Sequence, residues 1–370
     1  MRISYLFNTS TPSSSPGSIQ VVNTCDAIAS YGHKIVLITP NTGKNISLKK
    51  FYGIQNKIKL VKIKWFKEFP LGMSYYLYSA ASILNGLFLK TEIFITRNFF
   101  TLFILNLLKK KVIIEVHHDL ENEGRLVKFL YRNFDIFDNQ NIIKIIAITN
   151  SVKSYLIHNF KIDKKKIEII PSASSLKFKF KKLKKKYRYN IGYFGSLDKS
   201  KGSNFIISLS KKDKKNKYYI YGGKPEEVQK LKKNISNNLK INPSIPYSKI
   251  KSYLSKMDIL LIPSNTKKLR SLGGVGNIAK FTSPLKLFDY LASGKLILAS
   301  NLKVFREILK DEKNCIILNK MDENNWKNKI NKIKFKLSKV NKIKKNAYNL
   351  SKEYTYLKRA KKILNLNNSC

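Results

Sequence analysis

Apolar residues come in short, nearly unbroken runs separated by polar loops or by stretches with helical spacing. In the first half the runs are residues 2–7, 35–39, 92–96, 112–116, 145–149 and 167–170. In the second half they are residues 189–194, 217–221, 259–263, 295–300 and 316–318. Runs without alternation suit strands buried on both faces, as in a parallel sheet. Residues 19–30, 151–159, 203–210, 226–234, 250–256, 283–293 and 304–309 can form helices between them, and the Lys-rich tail after residue 322 is helical in composition. Repeated strand, loop, helix and strand predict βαβ units.

A basic stretch at 177–186 lacks helical period and divides the pattern. The expected organisation is a doubly wound domain over 1–175, a basic linker over 176–187, a second such domain over 188–350, and a helix over 351–370 able to pack back on the first domain. In open α/β sheets, ligands bind beyond the carboxyl ends of the strands.

Two domains also fit 370 residues, and 43% hydrophobic content is ample for sizeable cores, which excludes wholesale disorder. The formal charge is +49, yet only eight of the 72 basic residues are Arg. That skew, with abundant Asn and Ile, resembles the codon bias of an AT-rich genome and overstates any selected charge. The surplus still attracts anions such as nucleotides, anionic lipid or nucleic acid. The lysines spread over both halves without a nucleic-acid-binding module, so nucleic acid is not the expected partner. Cys25, Cys315 and Cys370 are far apart and odd in number, which argues against a disulfide framework or structural zinc. The first seven residues turn polar too early for a signal peptide. The uncharged run 69–89 is interrupted by Ser, Tyr, Asn and Gly, and 99–108 is about half the ~20 residues a span needs. Both read as helices packed inside a domain, and the expected location is cytoplasmic.

Four segments could carry chemistry. In 283–294, Ser283 suits an N-cap, Pro284 the first helical position and Gly294 the stop. On a helical wheel Leu285, Leu287, Phe288, Leu291 and Ala292 point inward, while Lys286, Asp289, Tyr290 and Ser293 share a polar stripe. The helix start offers amide donors to an anion; equally, this is an ordinary amphipathic helix whose Lys286–Asp289 pair faces water. Upstream, the glycines of 271–277, Gly274 among them, would let backbone approach a phosphate, or form a plain surface loop. The loop Gly195-Ser196-Leu197-Asp198-Lys199-Ser200-Lys201-Gly202 aims two cations at the next helix start. His117 and His118 directly follow a strand that contains Glu115, a pairing that can orient a hydroxyl or move protons. His33 and His158 read as bland. There is no Asp-x-Asp, and nothing converges as a metal site.

In order and spacing these segments resemble the GT-B glycosyltransferases, specifically the retaining family 4. The matching parts are 2–7, the Ser/Pro/Gly loop, 31–40, 115–117, 146–149, 191–196, Lys201-Gly202, Gly222-Gly223, 258–264 and 283–299. The resemblance implies two Rossmann-like domains facing each other across a cleft, and transfer of a sugar from a nucleotide-sugar bound mainly by the second domain. The acceptor would be a glycan or lipid-linked molecule held mainly by the first, in surface polysaccharide, lipopolysaccharide or glycolipid synthesis. It implies a hexosyltransferase type without metal or other cofactor. Lys201 matches the phosphate-binding lysine, Asp289 the glutamate that holds the ribose, and Glu115 and His117 the strand end facing the transferred sugar, with His118 the alternative one residue on. Gly195, Ser196, Lys199, Gly274, Ser283, Pro284, Leu285 and Lys286 complete the expected donor site, and Pro16, Gly17 and Ser18 an acceptor or phosphate loop.

Departures from the family pattern are specific. Phe281 stands where the family's first glutamate contacts the sugar, with Lys286 a nearby substitute. Ser196 replaces the usual Arg, with Lys199 able to compensate. Two other readings remain open: a nucleotide-sugar epimerase on the same fold, and a catalytically degenerate binder. The basic first domain would favour peripheral contact with anionic lipid at the inner membrane face.

Overall fold

The computed structural model describes residues 1–41, 46–65, 69–232, 235–270 and 276–365. The chain divides into two compact units, Met1–Ser172 with Tyr356–Cys370, and Ala173–Thr355. In unit 1 the chain runs β1 (Arg2–Leu6), α1 (Pro16–Ser30), β2 (Lys34–Asn41), α2 (Leu48–Tyr52), β3 (Lys59–Lys64), α3 (Leu71–Phe88), β4 (Ile93–Thr96) and α4 (Phe99–Leu107). It continues through β5 (Val112–Val116), α5 (Arg125–Asn133), β6 (Ile142–Ala147), α6 (Asn150–Phe160) and β7 (Ile167–Ile169). Unit 2 holds β8 (Asn190–Phe194), α7 (Ser203–Lys212), β9 (Lys217–Tyr221), α8 (Pro225–Lys232), β10 (Leu239–Asn242), α9 (Tyr247–Ser255) and β11 (Ile259–Ile262). It ends with α10 (Leu285–Ser293), β12 (Leu296–Ser300), β13 (Ile316–Leu318), α11 (Glu323–Lys332) and α12 (Leu337–Ser351). The last helix, α13 (Tyr356–Leu364), packs along α1 and so belongs to unit 1.

Both sheets are parallel and share one winding. Unit 1 is ordered β3-β2-β1-β4-β5-β6-β7, and unit 2 β10-β9-β8-β11-β12-β13. The order reverses beside β1 in one sheet and beside β8 in the other, and there the loops after neighbouring strands diverge and leave room for a ligand. Side chains of unit 2 alternate between two apolar clusters. Ile191, Ile220, Leu261 and Leu298 belong to one, and Phe194, Leu260, Ile262 and Ile297 to the other. Burial on both faces explains why these strands read as continuous apolar runs.

Two strands escape the sequence pattern. β3 (KLVKIK) and β10 (LKIN) interleave lysine with apolar residues because each lies at a sheet edge, where charge discourages pairing with another chain. The segment expected as a linker over 176–187 is instead part of unit 2. Its Leu183 is buried in the core, Lys344 Nζ donates to the Lys181 carbonyl at 2.9 Å, and Tyr348 Oη donates to that of Phe178 at 2.8 Å. The helix expected over 304–309 is a 3₁₀ turn at Lys303–Glu307. The uncharged run near residues 70–88 forms α3, and no helix among the described residues is long and apolar enough to cross a membrane.

Candidate active site

In unit 2 the loop after β8 is shaped by close backbone approach. A Cβ on Gly222, just past β9, would lie 1.6 Å from the Gly195 carbonyl oxygen, so no side chain fits there. Gly202 has φ +89°, and a Cβ on it would meet the Pro263 carbonyl beyond β11 at 1.9 Å. Asn265 N donates to the Ser200 carbonyl at 2.8 Å and Arg270 N to Ser200 Oγ at 2.9 Å. The loop from Gly195 to Gly202 is therefore pinned at the point where the strand order reverses. It carries exposed Lys199 and half-buried Lys201, whose ammonium burial pushes below the usual lysine range.

Helix α10 starts at Leu285 with Pro284 as its cap residue, rather than with Ser283 capping and Pro284 inside. Proline at ψ 130° supplies the carbonyl for the first turn, and its own side chain offers no group to cap the leading amides. The polar stripe expected to reach water is buried: Asp289 is 7% exposed, Tyr290 0% and Ser293 4%. Tyr290 Oη accepts the Phe194 amide at 2.8 Å, so the stripe packs against the end of β8. Asp289 Oδ1 accepts Ser174 Oγ at 2.6 Å and Tyr247 Oη at 2.9 Å. With no cation beside it, burial pushes this carboxyl up to about 7 despite those hydrogen bonds.

Lys286 is the least satisfied group of the site. Its Nζ is buried with no hydrogen-bond partner, 4.1 Å from the centre of the Tyr193 ring, and a Cβ on Gly195 would lie 2.8 Å from it. Burial, and then the Lys201 charge, push it down to about 7. Ser196 Oγ is likewise buried and unpartnered. Two lysines and an unused hydroxyl thus converge around one loop, a set of donors that an anion would satisfy. Phe281 is buried and supplies no polar group to this set. Gly274 lies outside the described residues.

In unit 1, α1 begins at Pro16, capped by Ser15, whose Oγ takes the Ser18 amide at 3.2 Å; Ser13, Ser15 and Ser18 hydroxyls lie within hydrogen-bonding distance of one another. A Cβ on Gly17 would meet the Phe7 ring at 3.2 Å and Arg97 Nη1 at 3.8 Å, which brings the loop over the end of β4. Glu115 on β5 is wholly buried. Its Oε1 accepts Arg97 Nη2 at 2.8 Å, Gln20 Nε2 at 3.1 Å and His117 Nε2 at 2.6 Å, and Arg359 Nη2 lies 2.8 Å from it. The two guanidiniums, Arg359 first, hold the Glu115 carboxyl well below the usual range against the opposing effect of burial. Burial and Arg97 push His117 down to about 4, so the ring is neutral at pH 7. His118 turns elsewhere, with Nδ1 2.7 Å from the Asp119 carbonyl oxygen and Nε2 3.6 Å from Glu123.

Arg97 and Arg359 belong to no motif that the sequence displays. Rarity is a weak signal for them, because five of the eight arginines, Arg125, Arg132, Arg188, Arg270 and Arg306, lie exposed. Among the described residues no group of three or more His, Cys, Asp or Glu side chains could hold a metal ion.

The family model for group 1 glycosyl transferases matches residues 174–350, and that for glycosyltransferase family 4 matches residues 17–176. The chain belongs to the GT-B glycosyltransferases. Sucrose-phosphate synthase from Thermosynechococcus elongatus superposes with a TM-score of 0.74 at 14% identity, over 99% of this chain and 98% of that one. HepE from Anabaena, solved with UDP-glucose, gives 0.69 at 14% identity over the whole of both chains. WaaG, a glycosyltransferase involved in lipopolysaccharide biosynthesis, gives 0.65 at 12% identity, again over both whole chains. No curated protein matches by sequence. This GT-B enzyme folds as two parallel-sheet units.

Proposed function

We propose that this glycosyltransferase transfers a hexose-type sugar, with retention of configuration and without a divalent metal, from a nucleoside-diphosphate donor to a glycan or lipid-linked acceptor. The unpartnered Lys286 ammonium beside Gly195 carries the reading. In this proposal the diphosphate takes charge from Lys201 and Lys286, with Lys199 nearby, hydrogen bonds from Ser196 Oγ and the Gly195 loop, and the amides that open α10. Donors fixed in place act most strongly where negative charge develops, here on the departing diphosphate. Asp289 would accept the ribose hydroxyls, Pro16, Gly17 and Ser18 would border the acceptor or a phosphate, and His117 would meet a hydroxyl of the transferred sugar. WaaG and HepE, named above, support a surface-glycan role and a uridine donor.

Calorimetry against a panel of nucleotide-sugars, with and without EDTA, tests this. One donor is expected to bind unaffected by chelator, and Lys201→Ala to weaken it about tenfold, the worth of one charged hydrogen bond. Loss of binding in EDTA would refute the metal-free reading, and isomerised free sugar formed from donor alone would favour the epimerase.

We also propose that the enzyme works at the inner membrane face. Three helices that pack in succession support it: Tyr76 of α3 meets Phe100 of α4, and Phe103 of α4 meets Phe134 after α5. They expose Leu84, Phe88 (85% exposed), Leu107, Leu126 and Phe129, and the lysines at 109–111 with Arg125 and Arg132 are exposed beside them. Flotation with vesicles rich in phosphatidylglycerol is expected, falling away with neutral vesicles or when Phe88 and Phe129 become Ser. Equal recovery with both vesicle types would count against it.

A further inference from the structure

We propose that Arg359, on the final helix α13, is a positioning residue for His117, acting with Arg97 through Glu115 to fix which ring nitrogen carries the proton. Arg359 is 3% exposed, hydrogen-bonded at two points and paired by charge at a third. Its Nε donates to the Pro171 carbonyl at 3.1 Å, its Nη1 to Thr24 Oγ1 at 3.2 Å, and its Nη2 sits 2.8 Å from Glu115 Oε1. Arg97 approaches the same oxygen after β4, and its Nε donates to Tyr5 Oη at 2.9 Å. That leaves the Tyr5 proton free to point at Glu115 Oε2, 3.3 Å away. Glu115 is thereby an ionised group that only accepts. A carboxylate of this kind, 2.6 Å from His117 Nε2, requires the proton on that nitrogen. Nδ1 of the neutral ring is then its lone-pair acceptor.

The charges acting on His117 are Arg97 after β4, Glu115 on β5 and Arg359 on α13. Burial first, then Arg97 and to a smaller degree Arg359, keep the ring from taking a second proton against the opposing pull of Glu115. A histidine so held can accept a hydrogen bond from a sugar hydroxyl but is a poor proton donor. The guanidinium fork suits this place because it bonds two acceptors in different directions while its charge rests beside Glu115, which an ammonium on a flexible stem does less well. The consequence for turnover rests on the proposed contact of His117 with the sugar; the consequence for the ring itself does not.

The test is long-range ¹H–¹⁵N correlation of the full-length protein labelled in histidine, followed with pH, beside steady-state kinetics. In the wild type His117 is expected as the neutral Nε2–H form at pH 7, titrating at about 4. Arg359→Gln, which keeps an amide donor and loses the charge, should raise that titration by roughly half a pH unit, since Arg359 is the smallest of the groups acting on the ring. It should also lower kcat on the order of 10- to 100-fold with little change in donor KM. Arg359→Lys should restore a titration close to wild type. A wild-type ring found as Nδ1–H or protonated at pH 7 overturns the proposal without any variant, so a glutamine variant that fails to fold does not shield it. A lysine variant shifted as far as the glutamine one, or a glutamine variant with unchanged ring signals, overturns it too. Ring signals that shift as expected with kcat intact would leave the positioning role standing and refute the contact between His117 and the sugar.

Discussion

Lys286→Met should yield a more stable protein that binds its donor roughly 10- to 100-fold more weakly. The weakening corresponds to about 1.5–3 kcal/mol for a lost charge-assisted hydrogen bond. The gain in stability follows because the Lys286 ammonium is buried with the Tyr193 ring face but no hydrogen-bond partner, and methionine fills similar space with no charge to desolvate. The pH dependence separates this from simple repacking. Lys286 titrates at about 7 when folded and near 10.5 when unfolded, so between those values the unfolded chain binds the extra proton. Stability of the ligand-free wild type therefore rises with pH across that window, and this contribution is absent from the variant. Thermal scans near the two ends of that window, with and without donor, check both halves. A variant that is less stable and binds normally would place Lys286 among ordinary core residues.

Glu115→Gln is expected to have the largest cost in stability. It strands two buried guanidiniums, Arg97 and Arg359, without their shared counter-charge, a loss of about 3–5 kcal/mol. The damage should be confined to unit 1, so hydrogen exchange read by mass spectrometry should rise in peptides of Met1–Ser172 and of α13, and not in those of Ala173–Thr355. The folded carboxyl lies well below its ordinary value. Its stabilisation is complete above the usual carboxylate range and fades only as pH falls toward the folded value, so the variant loses that acid-side dependence. Exchange that stays at the wild-type level in unit 1 would show that the cluster contributes nothing net.

The interior parallel strands are legible because burial on both faces writes itself as unbroken apolar runs. Two of the four edges are not: β3 and β10 trade apolar residues for lysine, which erases the signal that still marks the edges β7 and β13. The 283–294 segment shows a subtler limit. Its wheel separates polar from apolar correctly, yet polar does not mean wet, since Asp289 and Tyr290 turn inward to bond Ser174, Tyr247 and the end of β8. Glu115 and His117 stand out because they lie two residues apart at a strand end. Arg359 cannot be joined to them by inspection. It sits on the last helix, beyond the whole of unit 2, and only folding brings it to Glu115, so no local spacing encodes the meeting.

Unit 1 is discontinuous, and that has a consequence during synthesis. A ribosome delivers β1 through β7, then all of Ala173–Thr355, and only afterwards the helix bearing Arg359. Until that helix emerges, the face of α1 on which it packs lies bare and Glu115 has a single guanidinium for company. The nascent enzyme thus cannot finish its first half before its second has been translated, and the cluster around Glu115 closes only once residue 359 has been made.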